Sequence, residues 1–245
     1  MTIQKMNEEI MKLFHSNHDI TDYFPTFLQE NPKEGGILFV GYNPSRSKRN
    51  DPKILKAAEL PHIKNWDAFC KKDNKEFKIE DSNKFDSVAG KNAGFFTRFN
   101  TIVEEVNNLL KTNHHRAHMD LFFLREATQK NLDAVIFENK KQVILTQFAE
   151  KQFDLQWKYM EDYVKPLFVV VANANSAKII SRYKHHLIDS SLFEENGFST
   201  IKLNGRKVPI IMTAHISSIR SIDAGTFEIL KWLVRQAVKK EKTIS

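Results

Sequence analysis

Two short segments hold the residue types from which a reaction site could be built. The first is Gly41-Tyr42-Asn43-Pro44-Ser45 and the second is Ala214-His215-Ile216-Ser217-Ser218-Ile219-Arg220. In the first, Gly41 permits a tight turn, while Pro44 fixes its own φ and holds Asn43 in extended backbone, so that the Asn43 amide is presented in one orientation. An amide can hold a water through its oxygen but cannot act as an effective base near neutral pH. The second segment offers an imidazole, two hydroxyls, an apolar residue and an arginine in close succession. Each has a plain structural reading as well, since Asn-Pro is a common turn dipeptide and a lone histidine at a strand end is often only packed. Arg46-Ser47-Lys48-Arg49, directly after the first segment, is a cationic cluster of the kind that grips phosphates.

Other chemistries are poorly supplied. Cys70 is the only cysteine, which rules out an internal disulfide and any multi-cysteine metal site. His114-His115 and His185-His186 lie in charged stretches without an array of carboxylates. Only 8 glycines occur, and neither a G-x-x-x-x-G-K-[ST] nor a G-x-G-x-x-G pattern is present, so a nucleotide-phosphate loop is disfavoured. No metal and no cofactor are expected.

The elements that must position these segments follow from the apolar pattern. Ile37 to Val40, Phe168 to Val171 and Val208 to Met212 are short uninterrupted apolar runs, as expected of strands buried on both faces; His118 to Leu124 reads as a further strand. Helical spacing runs over Asn7 to Phe14, Ile20 to Leu28, Phe96 to Leu110, Gln142 to Tyr163, Asn173 to Tyr183 and Ser221 to Lys240. Strands separated by helices imply parallel pairing with right-handed crossovers. The expected fold is α/β, a three-layer α/β/α sandwich around a mostly parallel four-stranded sheet. It would form one domain over residues 1–245, with N-terminal helices in 1–34 and a polar, lysine-rich insertion or long loop with short helices at about 46–90. In such a sheet ligands collect at the carboxyl ends of the strands, where Gly41 to Ser45, Asp120, Ala172 to Asn175 and His215 to Arg220 all fall.

The chain has 245 residues, 41% hydrophobic and 27% charged, with a formal net charge of +7. It is long enough to bury a sizeable core, and the positive balance attracts polyanions. No stretch approaches the ~18 apolar residues of a membrane helix, and Met1 to Phe14 alternates charged with apolar residues instead of forming a signal-peptide core. A cytoplasmic protein with no membrane contact is the expectation.

Gly41-Tyr42-Asn43-Pro44-Ser45 and His215-Ile216-Ser217-Ser218-Ile219 resemble the two signature motifs of the uracil-DNA glycosylase superfamily, which take the forms Gly-x-Asn-Pro-Gly or Gly-x-Asp-Pro-Tyr, and His-Pro-Ser followed by two variable residues. The first segment is similar to the asparagine form, nearest the mismatch-specific and single-strand-selective branches. Gly94-Phe95-Phe96 resembles the aromatic segment that stacks on the base, Met119-Asp120-Leu121-Phe122 stands where the family carries a base-reading Asn, and Val169 to Ala177 resembles its strand-glycine-helix segment. The likeness runs in order from Gly36 to Leu233. Ile216 replaces the usual Pro, Ser45 replaces Gly, and Asp120 replaces Asn.

The resemblance implies an uracil-DNA glycosylase-like fold and a monofunctional DNA glycosylase of base-excision repair, which flips a uracil-like or damaged base from single- or double-stranded DNA and hydrolyses its N-glycosidic bond. Asn43 would hold the attacking water and His215 would donate to the departing base. Tyr42, Phe95 or Phe96, and Asp120 would contact the base. Arg46, Lys48, Arg49, Ser217, Ser218 and Arg220 would meet DNA, with Ile219 as the wedge. Asp120 leaves the substrate open: an ionised carboxylate only accepts, so it suits an exocyclic amino group better than a carbonyl. The same substitutions also fit a nucleic-acid-binding protein that excises nothing.

Overall fold

In a computed structural model of the chain, the structure describes residues 1–17, 20–44, 50–92, 96–125, 129–191, 195, 197–213, 216 and 223–244. The elements begin with helix α1 (Ile3–His15), strand β1 (Ile37–Gly41) and helices α2 (Asp51–Ala57), α3 (Trp66–Phe69), α4 (Ile79–Asn92) and α5 (Thr97–Leu110). Strand β2 (Arg116–Asp120), helix α6 (Gln129–Ile136), strands β3 (Phe137–Asn139) and β4 (Ile144–Leu145) and helix α7 (Gln147–Tyr159) follow, α7 running into a π-helical turn at Met160–Val164. Strand β5 (Phe168–Val171), helix α8 (Ala174–Tyr183), strands β6 (Ile188–Asp189), β7 (Ser199–Leu203) and β8 (Arg206–Met212), and helix α9 (Ala224–Ile244) complete the order.

The chain forms two compact units. The sheet unit comprises Pro32–Tyr42, Gly94–Leu121 and Trp157–Ser245, and holds a six-stranded sheet in the order β2-β1-β5-β8-β7-β6. The first four strands are parallel, while β7 pairs antiparallel with β8 and β6 antiparallel with β7. Every residue of β5, and Ile37 to Val40 of β1, is buried, so both faces of the sheet need cover. Ile37, Phe39, Phe168, Val170 and Ile211 pack with the apolar stripes of α5 and α9, among them Phe99, Ile102, Leu230 and Val234. Val40, Val169 and Ile210 face the other way, toward Trp157, Met160 and Ile180. The sheet unit is therefore α/β with helices around a mostly parallel sheet.

The four strands expected from the sequence are the four parallel ones. The expected count of four is short by β6 and β7. β7 alternates, burying Ile201 and Leu203 and exposing Lys202, because it lies at the partly solvated antiparallel side. Asn204 and Gly205, with φ of +46° and +83°, join it to β8 in the left-handed conformations that a two-residue hairpin demands. β2 is also shorter than expected, ending at Asp120, and residues 121–124 leave the strand although all four are buried.

The helical unit comprises Met1–Asn31, Asn43–Ala93 and Phe122–Gln156. The expected helix over Ile20 to Leu28 is absent: Phe24 N donates to Cys70 O at 2.7 Å and Thr26 N to Phe123 O at 2.9 Å. Pro25 between them has no N–H for a helix interior. Asn7 ties this extended stretch to α1, its Nδ2 donating to Leu28 O at 3.0 Å and its Oδ1 accepting from Leu28 N at 2.8 Å. The 46–90 segment, where described, holds the short helices expected of it. From residue 50 it folds into α2, α3 and α4 around its own core of Leu55, Leu60, Ile63, Trp66, Phe69 and Phe85, with the Trp66 and Phe85 rings stacked at 3.7 Å. The expected helix from Gln142 begins only at Gln147, because β3 and β4 form a short antiparallel ladder before it. Among the described residues no helix is long and apolar enough to cross a membrane.

Candidate functional site

The register of β1 and β2 sets Ile37 beside Arg116, Phe39 beside His118 and Gly41 beside Asp120. Successive strand residues point to opposite faces, so Arg116, His118 and Asp120 share one face, while Met119 and Leu121 line the apolar interior on the other. A guanidinium, an imidazole and a carboxylate thus stand in a row that ends at the carboxyl edge of the parallel sheet. The structure puts the carboxylate directly on the bare Cα of Gly41: a methyl group there would lie 2.0 Å from Asp120 Oδ1 and 3.2 Å from His118 Nε2. Gly41 is not among the residues with positive φ. Its glycine is needed for space and not for the turn expected of it.

The Gly41 carbonyl is held from two sides, by Ser176 Oγ at 2.8 Å and by Leu121 N at 3.3 Å. Ser176 itself is fixed by the start of α8, where Asn173 Oδ1 caps the helix by accepting from Asn175 N at 2.9 Å and Ser176 N at 3.2 Å. Side-chain acceptors at this position satisfy the orphan N–H groups of a first turn. The segment after β5 is therefore a support for the end of β1.

His118 Nε2 lies 3.8 Å from Asp120 Oδ1. The imidazole meets the edge of Phe96 at 5.1 Å between ring centres and lies 6.2 Å from Phe99. Desolvation by its surroundings, and secondly the charge of Arg116, push its pKa down to about 4, so it is neutral at pH 7, although 25% of its side-chain surface stays accessible. Arg116 donates to Asn100 Oδ1 at 3.0 Å and its guanidinium lies 4.0 Å over the Phe96 ring, a cation–π arrangement.

Of the residues expected to form a site, Asp120, Phe96 and Tyr42 lie in the sheet unit. Asp120 and Phe96 both flank His118. Asp120 keeps 15% of its side-chain surface accessible, whereas Tyr42 and Phe96 are buried, at 3% and 8%. Phe96 keeps its place in the apolar stripe of α5, with Arg116 across one face. Asn43 opens the second stretch of the helical unit, and its Nδ2 donates to Pro44 O at 3.4 Å. Ile216 is wholly buried among the core residues of the sheet unit. Arg46, Lys48, Arg49, Phe95, His215, Ser217, Ser218, Ile219 and Arg220 lie outside the described residues.

Arg116, His118 and Ser176 were not singled out from sequence. The i, i+2, i+4 spacing of Arg116, His118 and Asp120 in a strand was the available signal for the first two, and Asn173-x-x-Ser176 at a helix start was the signal for the third. Among the described residues no group of three or more His, Cys, Asp or Glu could hold a metal ion. In comparison with known proteins, the chain matches no protein-family model and no curated protein.

Proposed function

We propose that the chain is a DNA glycosylase on a uracil-DNA glycosylase-like scaffold, hydrolysing the bond between a flipped-out base and its sugar. The observation that carries this reading is the meeting of Asp120 and Gly41 at the carboxyl edges of two adjacent parallel strands, with the carboxylate against the glycine that opens Gly41-Tyr42-Asn43-Pro44. This edge of an open α/β sheet is where ligands bind, and it is where the resemblance puts the water-holding and base-contacting residues. Asn43 would hold the water and His215 would stabilise the negative charge that grows on the leaving base; Arg46, Lys48, Arg49, Ser217, Ser218 and Arg220 would hold the strand while Ile219 fills the vacated stack. No cofactor enters the reaction.

A second reading, nucleic-acid binding without excision, is favoured by the burial of Tyr42 and Phe96, which leaves neither ring as an open stacking platform. Single-turnover assays on single- and double-stranded oligonucleotides carrying uracil, hypoxanthine, xanthine or mismatched thymine separate the two. Abasic sites that vanish in both Asn43→Ala and His215→Ala, with DNA affinity retained, are expected. DNA binding by the wild type without any abasic site would leave only the second reading.

A further inference from the structure

We propose that the outward face of α9 is a self-association surface, on which a second copy of the chain docks as an antiparallel helix pair about a two-fold axis near Trp232. α9 turns Leu230, Val234, Ala237 and Val238 into the core of the sheet unit. At about 3.6 residues per turn, the opposite face carries Gly225, Glu228, Ile229, Trp232, Gln236 and Lys239. Ile229 is 60% and Trp232 47% accessible, and with Met1 they are the large apolar side chains that stand exposed among the described residues. Apolar residues scattered singly over a surface need no partner. These two are neighbours three positions apart on one helix face, where side chains touch, so they form a patch directed away from the sheet.

Charge selects what covers the patch. Glu228 pairs with Lys231 at 2.6 Å, and the acid is the member that faces water, with 62% of its side chain accessible against 17% for Lys231. Lys231 lies toward the Phe227 ring, and Arg235 is engaged by Glu105 of α5. The outward face is therefore acidic before Trp232, at Glu228, and basic after it, at the exposed Lys239. A nucleic acid seated on Trp232 would meet the Glu228 carboxylate one turn away, so a uniformly anionic partner does not match this face. A second copy does. Trp232 lies close to midway between Glu228 and Lys239, so an antiparallel pair centred near it sets Glu228 of each copy toward Lys239 of the other, with the two indoles and the Ile229 side chains between. A parallel pair would set Glu228 against Glu228. Closed two-fold pairing uses the same patch on both copies. One helix face offers less than the roughly 800 Å² per partner of a standard interface, so the pair is weak and forms reversibly at high protein concentration.

Sedimentation velocity of the full chain from micromolar to near-millimolar concentration tests the surface. The expected result is a monomer that converts to a dimer as concentration rises, with acrylamide quenching of tryptophan fluorescence falling in step, because Trp66 and Trp157 are buried and Trp232 is the accessible indole. Trp232→Ala should weaken the dimer about tenfold or more, as expected of an aromatic at the centre of an interface, while its circular dichroism matches the wild type. Glu228→Lys and Lys239→Glu should each weaken association. An equimolar mixture of these two variants should associate again, since every acid then meets a lysine across the axis. A chain that stays monomeric over the whole range overturns the proposal. So does a dimer that survives Trp232→Ala, or a mixture of the charge variants that associates no better than its components. If single-stranded DNA, and not protein concentration, shields Trp232 from acrylamide, the face belongs to nucleic acid and self-association is refuted.

Discussion

His118 is held neutral by its neighbours, and this has a measurable consequence. Its pKa lies near 4 in the folded protein, lowered first by burial and then by Arg116, against about 6.5 in an unfolded chain. Between these values the unfolded state binds more protons than the folded one, so stability rises with pH across that window and is lost as pH falls from about 6.5 toward 4. His115 is shifted in the same direction, by burial first, and adds to the trend. His118→Gln removes one titrating group from the balance. Urea denaturation at pH 7 and at pH 5 should show a smaller loss of stability on acidification in His118→Gln than in the wild type. Equal losses in the two proteins would mean that the imidazole is not held neutral by its burial. The residue escaped notice in the sequence because a single histidine inside a short polar strand has no motif around it. Asp120 was noticed as a strand-end residue and as a departure from a pattern, while its closeness to Gly41 depends on a strand register that no local spacing encodes.

At the scale of elements, the supports of the site are ordinary secondary-structure devices, and they can be tested one at a time. Asn173→Ala removes the acceptor for two N–H groups at the start of α8, and a lost cap of this kind costs about 1 kcal/mol. Because the capped turn carries Ser176 to the Gly41 carbonyl, Asn173→Ala should destabilise the protein by roughly that amount in chemical denaturation and slow excision modestly. Ser176→Ala, which leaves the cap intact, should lower stability by a similar order, about 0.5–1.5 kcal/mol for one hydrogen bond. Parallel strands β1, β5 and β8 were legible because burial on both faces writes itself as an apolar run. β6 and β7 were not read: β6 has only two residues, and β7 alternates over a span too short to stand out, although Asn204-Gly205 is a strong hairpin signal. The helix expected over Ile20 to Leu28 failed for the opposite reason. Its apolar residues have helical spacing, but Pro25 and the backbone partners Cys70 and Phe123 give the segment an extended path. The core around Trp66 and Phe85 stayed hidden because lysines and acids on the outer faces of α2 and α4 dilute its pattern.

For the whole molecule, that second core gives the helical unit an interior of its own, and one buried ion pair shows how it is held. Arg125 donates to both oxygens of Asp86, at 3.1 and 2.8 Å, and to Ser82 Oγ at 2.9 Å, over the face of Trp66. Its side chain is only 8% accessible, against 25% for Asp86. The nearby carboxylate and thiol groups raise its pKa in spite of burial, so the charge persists at all ordinary pH. Removing one partner leaves the other charge uncompensated, which costs about 3–5 kcal/mol for buried pairs, and the partial exposure of Asp86 favours the lower end. Asp86→Leu should therefore destabilise the protein by about 3 kcal/mol. Arg125→Met combined with Asp86→Leu should recover much of that loss, since a packed apolar pair of similar volume is often neutral or better. Because neither Arg125 nor Asp86 is among the residues assigned to the site, the double variant should keep its rate of base excision at a temperature where both proteins are folded. Denaturation curves for the two single variants and the double variant, with excision measured in parallel, check both halves. A double variant no more stable than Asp86→Leu would mean that Arg125 has a further partner to satisfy, consistent with its Nε, which finds no acceptor among the described residues.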